Sequence, residues 1–237
     1  MHTQRHLSWG RIAGLAVTLV ALATAPVAVA AGWVQQRVPV PQAPNGELFG
    51  MSCTSATACT AVGDFHNSSG VDVPLAERWN GSSWARQSTP NATGAQGSQL
   101  TGVSCSSATA CTAVGTSTTS AGVQATLAER WNGSGWAVQS TPNPTGAHDT
   151  ELSAVSCASM TVCTAVGYSA ANSESAYATL AERWNGSSWA VQSTPTPPGA
   201  QGSELTGVSC ATVTACTATG LYFTAAGAAL PLAEGYS

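Results

Sequence analysis

A segment of about 52 residues recurs along the chain, and this period constrains the fold more than any other feature of the sequence. Four cysteine pairs with C-x5-C spacing begin at positions 53, 105, 157 and 210, in steps of 52, 52 and 53 residues. A tryptophan hairpin, W-N-G-S-S-W or W-N-G-S-G-W, follows the first three pairs at 79–84, 131–136 and 184–189. Such a period is typical of a repeat protein in which each unit is one supersecondary structure.

Each unit is predicted to form four short β-strands and no helix. In the second copy these are Leu100 to Cys105, Cys111 to Gly115, Thr126 to Trp131 and Trp136 to Thr141. Gly, Pro, Asn and Ser bound the strands, and no helical periodicity runs through them. Asn-Gly between the third and fourth strands predicts a tight hairpin, because both residues tolerate positive φ.

The eight cysteines are predicted to form local disulfides across the first hairpin of each unit. An even number of regularly paired cysteines is typical of a disulfide-stapled, exported chain. Zinc binding is the alternative, but zinc sites favour C-x2-4-C pairs, and no histidine pair accompanies these cysteines. We therefore expect no metal and no cofactor. The predicted bridges are Cys53–Cys59, Cys105–Cys111, Cys157–Cys163 and Cys210–Cys216.

Residues 1–30 have the three-part pattern of a secretory signal peptide. Two arginines lie near the start, and a mostly apolar, uncharged stretch runs from Ile12 to Ala25. Ala28-Val29-Ala30 then has the small-x-small form of a cleavage site. We expect a secreted mature domain, residues 31–237, with no stable membrane span after signal removal. The alternative is an uncleaved cell-surface anchor, because the uncharged run is nearly long enough to span a bilayer.

The charge of the mature domain argues against nucleic acid as a partner. Only 8% of the residues are charged, and no lysine is present. Loss of Arg5 and Arg11 with the leader leaves five basic residues against eleven acidic ones. Nucleic-acid binding requires a basic surface, and an acidic domain does not provide one.

The two ends of the mature chain predict that the repeats close on themselves. Residues 32–36 (GWVQQ) align with a fourth strand, and residues 232–236 (LAEGY) align with a third strand that has no fourth after it. The four repeats are then near 48–99, 100–151, 152–204, and 205–237 plus 32–41. We therefore predict an all-β propeller of about four four-stranded blades, the last closed by the N-terminal strand. The alternatives are an open arc, or two chains that pair into a larger ring.

The repeat resembles kelch repeats in two segments. Ala113 to Gly115 is a strand ending in glycine, and Glu129 to Trp136 carries an aromatic residue, a short turn and a tryptophan. It departs from kelch in having one glycine rather than two, and in the added cysteine pair. The chain is also similar to tandem repeats of uncharacterised secreted actinobacterial proteins with SC-x5-CTAVG and ERWNGSSW motifs. Both likenesses imply a propeller, the second implies export, and neither implies an activity.

The paired tryptophans and the Glu-Arg dipeptides that precede them are predicted to be structural. The tryptophans could serve as sugar platforms, but their recurrence in every full unit favours burial against the neighbouring blade. Adjacent strand residues point to opposite faces. The Glu and Arg are therefore expected to pair between blades, or to place the arginine on a tryptophan ring. The dipeptides are Glu77-Arg78, Glu129-Arg130 and Glu182-Arg183.

The connections between the second and third strands differ among the four copies, and a rigid scaffold with variable loops is typical of a binding protein. These loops are predicted at 64–73, 116–125, 168–178 and 221–230. We expect a non-catalytic module that binds an extracellular glycan or protein. The candidate residues on or next to these loops are Asp64, His66, Asp72, His148, Asp149, Tyr168, Tyr177, Tyr222 and Phe223.

Two alternatives to this function stay open. An exported hydrolase or lyase acting on polysaccharide would use Asp64, His66, Asp72 and Asp149, the one cluster suited to acid–base chemistry. No G-x-S-x-G nucleophile motif with triad partners is present. The chain could also be a structural fragment of a longer repeat array.

Overall fold

The structure, a computed structural model, describes residues 32–39, 45–172 and 176–237. The chain divides into two units, Met1–Gln35 and Gln36–Ser237. The described residues of the first unit, 32–35, form no strand, and the predicted leader lies outside the described residues. The described part of the second unit forms β-strands and no helix.

Fifteen antiparallel strands form four sheets in the described part of the chain, and each sheet corresponds to one sequence repeat. Blade 1 contains β1 (Gly46–Ser55), β2 (Ala58–His66), β3 (Asp72–Trp79) and β4 (Trp84–Gln87). Blade 2 contains β5 (Ala95–Ser107), β6 (Ala110–Thr119), β7 (Gln124–Trp131) and β8 (Trp136–Gln139). Blade 3 contains β9 (Asp149–Ser159), β10 (Val162–Ala170), β11 (Ala178–Trp184) and β12 (Trp189–Gln192). Blade 4 contains β13 (Ala200–Thr212), β14 (Ala215–Thr224) and β15 (Ala229–Tyr236).

The strands of each blade are hydrogen-bonded in chain order, and the first strands of successive blades contact one another from β1 to β5, β9 and β13. This arrangement confirms the predicted all-β propeller fold with four blades.

The strands extend further toward one end of each blade than the sequence predicts. In blade 2 the loop predicted at 116–125 is mostly strand, because Thr116 pairs with Thr126 and Thr118 pairs with Gln124. Strand pairing joins backbone groups, so it continues through residues whose side chains differ between copies. The predicted variable loops are therefore the ends of β-hairpins, and their side chains are held by the sheets.

All eight cysteines form the four predicted local disulfides. In each case the two cysteines face each other across the hairpin of the first and second strands. The serine before the first cysteine joins consecutive blades. Ser52 accepts a hydrogen bond of 3.0 Å from the backbone N–H of Cys105, and Ser104 accepts one of 2.9 Å from Cys157. In the recurring Ser-Cys dipeptide, the cysteine forms the disulfide and the serine forms the hydrogen bond to the next blade.

Apolar clusters fill the spaces between blades, as predicted for the tryptophan hairpins. Between blades 1 and 2, Val62 and Ala76 pack with Leu100, Val103 and Trp136. The same pattern recurs between blades 2 and 3, where the buried cluster includes both tryptophans of the hairpin at 184–189. Trp136, Trp184 and Trp189 are core residues, so the sugar-platform alternative does not apply to them. The other three hairpin tryptophans, Trp79, Trp84 and Trp131, are only half-buried.

The recurring arginines reach across to the next blade, which confirms the predicted arginine–tryptophan contact. The guanidinium of Arg130 lies 4.8 Å from the ring centre of Trp184 and donates a 2.6 Å hydrogen bond to the carbonyl of Met160. Arg78 makes the corresponding contacts with Trp131 and Ala108. Each arginine thereby attaches the third strand of one blade to the next blade.

The recurring glutamates behave differently from the prediction of pairing with arginine between blades. Glu77, Glu129 and Glu182 are completely buried, and the carboxyl oxygens of Glu129 have no hydrogen-bond partner in the described part of the chain. Burial raises the pKa of Glu129 and Glu182 to about 8, and that of Glu77 to about 7. Arg86 opposes the rise in pKa at Glu77, and the hydroxyl of Thr126 opposes it at Glu182. A carboxyl buried in this way is disfavoured in its charged form, so it tends to hold its proton.

The predicted hairpin between the third and fourth strands is present, with a turn of four residues, but its asparagine does not have the positive φ that the sequence suggests. Only the glycine has a positive φ, for example 96° at Gly133. Asn132 instead accepts hydrogen bonds through Oδ1 from the backbone N–H groups of Ser134 and Gly135. The asparagine therefore stabilises the turn through its side chain, as in an Asx-turn.

Blade 4 has three strands in the described part of the chain, and no strand there lies beside β15. Residues 32–41 are predicted to fill that position, but the described residues 32–39 form no strand. Gln36 nevertheless accepts a 2.9 Å hydrogen bond from Nε1 of Trp84. The equivalent bond of 2.9 Å joins Gln87 of blade 1 to Trp136 of blade 2. Gln36 therefore has the same position relative to blade 1 as Gln87, at the end of the fourth strand of blade 1, has relative to blade 2. Closure of the ring stays a prediction.

Candidate functional site

A polar cavity of about 220 Å³ opens where the second and third strands of the blades end. We call it the rim groove. Three blades contribute to it, and the side chains that face it are carboxylates, amides, hydroxyls and one phenol. Its lining residues are Asp72, Gly97, Ser98, Gln99, Thr116, Thr118, Gln124, Glu151 and Tyr168.

Strand register explains why these residues meet. Gln99 on β5 pairs with Thr116 on β6, and Glu151 on β9 pairs with Tyr168 on β10. These are equivalent positions in blades 2 and 3, one residue before the buried leucine of the first strand. Because neighbouring strand residues alternate between faces, the leucine enters the core and the residue before it faces the groove.

Gln124 is held in the groove by its own backbone. Its N–H donates a 2.9 Å hydrogen bond to the carbonyl of His148, and its carbonyl accepts a 3.0 Å bond from the hydroxyl of Thr150. His148 directly precedes β9 and Thr150 lies on it, so both partners belong to the start of blade 3. The side-chain amide is therefore presented from a fixed backbone and remains available to a ligand.

Glu151 and Tyr168 form the most perturbed pair of the groove. Burial is the largest cause that raises the pKa of Glu151, with Asp149 adding to it and a hydrogen bond from Tyr168 opposing it. Burial also raises the pKa of Tyr168, and the neighbouring carboxylate of Glu151 raises it further. Tyr168 therefore stays a neutral phenol that donates to Glu151, which fixes its ring at the edge of the groove.

Tyr177 stacks on Tyr168 and extends this edge toward blade 4. Their ring centres lie 4.5 Å apart at an interplanar angle of 38°. The carbonyl of Tyr177 accepts a 2.8 Å hydrogen bond from the backbone N–H of Ser203 on β13. The aromatic pair is thus attached to two blades and lies next to the polar lining.

One hydroxyl of the lining has no partner. The side chain of Ser98 is 3% exposed, and its Oγ makes no hydrogen bond in the described part of the chain. A buried polar atom without a partner is costly, and a ligand or water in the groove would satisfy it.

Asp64, His66 and Asp72 come together on blade 1 at one end of the groove. His66 Nε2 lies 2.5 Å from Oδ1 of Asp72. Burial raises the pKa of Asp64, and the nearby carboxylates of Asp72 and Glu47 add to the rise. This pairing of a carboxyl that resists ionisation with a second carboxylate is one pattern found at acid–base sites.

Carboxyl groups predominate among the ionisable side chains of this region. Six carboxyl groups lie on the strand ends of this rim, and none of the described arginines lines the groove. Arg78, Arg130 and Arg183 donate to carbonyls of the adjacent blades, and Arg86 lies over the ring of Phe65. The six are Glu47, Asp64, Asp72, Asp149, Glu151 and Glu204.

The structure separates the nine candidates predicted from sequence. Asp72 and Tyr168 line the groove, Tyr177 stacks beside it, and Asp64 and His66 adjoin Asp72. Asp149 belongs to blade 3, where it is coupled to Glu151 rather than to the aspartates of blade 1.

The remaining candidates have other positions. The backbone carbonyl of His148 accepts the hydrogen bond from the N–H of Gln124. Tyr222 and Phe223 lie on β14 of blade 4 and do not line the groove.

Sequence reasoning missed Gln99, Gln124 and Glu151. A signal was available, because the residue before the recurring leucine is Glu, Gln, Glu and Glu in the four copies. Within the described ranges, no three His, Cys, Asp or Glu side chains are placed to hold a metal ion. The same ranges contain no helix long and apolar enough to cross a membrane.

Comparisons with known proteins establish the fold and no closer relationship. No protein-family model matches the chain, and no curated protein sequence matches it. Among solved structures, the chain is similar to fructan 1-exohydrolase IIa from Cichorium intybus, with a TM-score of 0.52 and 10% identity over 84% of this chain. The match covers 44% of that protein, so the chain spans less than half of its length. A BT0996 RGII complex matches with a TM-score of 0.37 and 9% identity, over 78% of this chain and 64% of that protein.

Proposed function

We propose that the domain is a non-catalytic glycan-binding module and that the rim groove is its binding site. The observation that carries the proposal is the composition of the groove, in which carboxylate, amide and hydroxyl groups from three blades lie beside a stacked tyrosine pair. Sugars offer hydroxyl groups that both donate and accept hydrogen bonds, together with apolar C–H faces that pack on aromatic rings.

The lining suits a polyhydroxyl ligand better than an apolar one. Gln99 and Gln124 each offer an amide that donates and accepts, and the carboxylates of Asp72 and Glu151 accept from hydroxyl groups. The unpaired hydroxyl of Ser98 gives one further partner. Tyr168, fixed by Glu151 and Tyr177, provides a rigid edge against which a sugar ring can pack.

The sign of the charge narrows the class of glycan. Asp72 and Glu151 line the groove, four further carboxyl groups lie on the same rim, and no described arginine lines the groove, so a uronic acid or sulfated sugar would meet repulsion without a counter-ion. Neutral and amino sugars avoid this cost, and an ammonium group would be attracted. Fructan 1-exohydrolase acts on a carbohydrate, as its name states, which is compatible with a carbohydrate ligand on a propeller scaffold.

The four disulfides fit an oxidising, extracellular environment. Together with the predicted leader, they support our proposal that the domain is exported and meets its ligand outside the cell. Detection of the mature domain in the culture medium, with its N-terminus at residue 31, would test this step.

The test of the glycan proposal compares three classes of oligosaccharide on an array: neutral, amino-sugar and uronic-acid. Binding is then quantified by calorimetry for the wild-type domain and the Y168F variant. Y168F keeps the ring but removes the hydroxyl whose bond to Glu151 fixes it, so the edge of the groove is less preorganised and we expect about tenfold weaker binding.

A matched control uses a tyrosine outside the groove. Y222F makes the same change on β14 of blade 4, and it should bind as the wild type does. Binding of uronic-acid glycans in preference to the other classes, or equal losses in Y168F and Y222F, would contradict the proposal.

Hydrolysis of a polysaccharide is a second candidate, because the structure does bring Asp64, His66 and Asp72 together. Asp64, whose pKa is raised by burial, would be the general acid, and Asp72 would be the second carboxylate. This hypothesis predicts release of reducing ends from a polysaccharide panel, lost in D64N and retained in D149N. If the wild-type domain released no reducing ends from any polysaccharide of the panel, the hydrolase hypothesis would be wrong.

A further inference from the structure

In the part of the chain that the structure describes, the first and fourth blades each have one face that no other blade covers. On β1, Leu48 and Met51 are 39% and 63% exposed, whereas Leu100 and Val103 at the same positions of β5 are 0% and 8% exposed. On β15, Ala233 is exposed, whereas its counterpart Ala128 on β7 is completely buried. Each contact between neighbouring blades joins two different faces. The exposed face of blade 1 corresponds to one of them, and the exposed face of blade 4 corresponds to the other.

A cavity of about 70 Å³ lies between blades 3 and 4, at a place that is filled between the other blades. Its walls include Val166, Ala181, Leu205, Val208, Cys216 and Ala218. Their counterparts between blades 1 and 2 are Val62, Ala76, Leu100, Val103, Cys111 and Ala113, which form one buried cluster with Trp136. The cavity is therefore the place of the tryptophan that begins a fourth strand, and blade 4 has no fourth strand in the described part of the chain.

Trp33 has the sequence context of that missing tryptophan. Residues 33–36 read WVQQ, and the fourth strands of blades 2 and 3 read WAVQ. Trp33 is fully exposed, whereas Trp136 and Trp189 are 7% and 5% exposed. Gln192 lines the cavity, and its counterpart Gln87 accepts the indole hydrogen bond of Trp136.

We propose that residues 32–36 of a second copy of this chain supply the fourth strand of blade 4, with Trp33 in this cavity. The hydrogen bond between Gln36 and Trp84 holds the end of the segment at its own blade 1, whose face toward a preceding blade is exposed. A second copy that docks its blade 1 on blade 4 covers both exposed faces and brings Trp33 to the cavity. The contact repeats the interface between blades within the chain, and two copies that dock reciprocally leave neither face open.

The experiment measures the mass of the mature domain by light scattering after size-exclusion chromatography, over a series of concentrations. We expect the wild type to have at least twice the mass of one chain and to dissociate on dilution. W33A removes the side chain that fills the cavity and should have the mass of a single chain. V34A is the matched control, because blades 1, 2 and 3 carry alanine at this position, and it should assemble as the wild type does.

A second measurement excludes misfolding as the cause of a change in mass. The far-UV circular dichroism of W33A should match that of the wild type, because the described residues 32–39 contribute no strand to the single chain. A monomeric wild type at every concentration would overturn the proposal, as would assembly of W33A equal to that of the wild type. A monomeric wild type that W33A destabilises would overturn it in another way, by showing that the segment closes its own ring.

Discussion

The buried glutamates make the stability of the domain depend on pH, and Glu129 gives the sharpest test. Burial raises its pKa from 4.5 to about 8. In the unfolded chain the carboxyl ionises near its ordinary pKa, so between these two values the folded state keeps a proton that the unfolded state has released. The free energy of unfolding therefore falls as the pH rises through this window, and the fall ends above the folded-state pKa.

The magnitude follows from the size of the shift. A rise from 4.5 to about 8 corresponds to about 5 kcal/mol at about 1.4 kcal/mol per pH unit. This is an upper limit, because relaxation of the protein and entry of water reduce the cost of a buried charge. The substitution E129Q keeps the size of the side chain and cannot ionise. We expect the stability of E129Q relative to wild type to increase by about 2–5 kcal/mol between about pH 5 and about pH 8.5.

The assay is urea unfolding followed by tryptophan fluorescence, without reductant so that the disulfides stay intact. V34A is the control, because Val34 is 79% exposed and its substitution changes no ionisable group. The stability of V34A should follow the wild-type pH dependence. If the curves of E129Q and wild type ran parallel from about pH 5 to about pH 8.5, the reasoning on the buried carboxyl would be refuted.

Three further perturbations test other parts of the fold. R130A removes the guanidinium from the ring of Trp184 and from a carbonyl of blade 3, and urea titration should show a loss of about 2–3 kcal/mol. G115A would place a Cβ 2.0 Å from the backbone oxygen of Gln99, so its thermal midpoint should fall by the equivalent of at least about 3 kcal/mol. Reduction of the disulfides should cost about 2 kcal/mol for each short loop opened, and unfolding of the reduced and oxidised domain measures the difference.

The repeat made the blades predictable, because its recurring residues are those that build one blade and join it to the next. The Cys-x5-Cys pairs are the disulfides, and the tryptophan hairpins of blades 2 and 3 contribute buried side chains to the clusters between blades. The extent of the strands could not be predicted in the same way. Backbone pairing of Thr116 to Thr118 with Gln124 to Thr126 requires no recurring side chain, so the sequence suggests a loop where the sheet continues.

The burial of the recurring glutamates without a partner also could not be predicted from the sequence. Alternation along a strand places Glu129 and Arg130 on opposite faces, but it does not reveal that one face is sealed by the neighbouring blade. The arginine can reach a carbonyl at the edge of the next blade, because its side chain is long. The shorter Glu129 stays inside the interface, without a partner among the described residues.

The candidate site was predictable in its position and only partly in its residues. The variability of one set of hairpin ends indicated the candidate face, and Tyr168 and Asp72, predicted there, line the groove. Gln99 and Glu151 were missed because they lie on first strands, which the sequence pattern assigns to the scaffold. Only the register between the first and second strands shows that these residues share the groove with the variable ends.

The most direct test of groove binding is chemical-shift mapping of the mature domain by NMR, titrated with a neutral or amino-sugar oligosaccharide selected on the array. Binding at the rim groove predicts that the largest changes fall on the amides of Gln99, Gln124, Glu151 and Tyr168. The tryptophan hairpins at the other end of the blades should not change. Changes centred on those hairpins, or on β14 of blade 4, would contradict the assignment of the rim groove as the binding site.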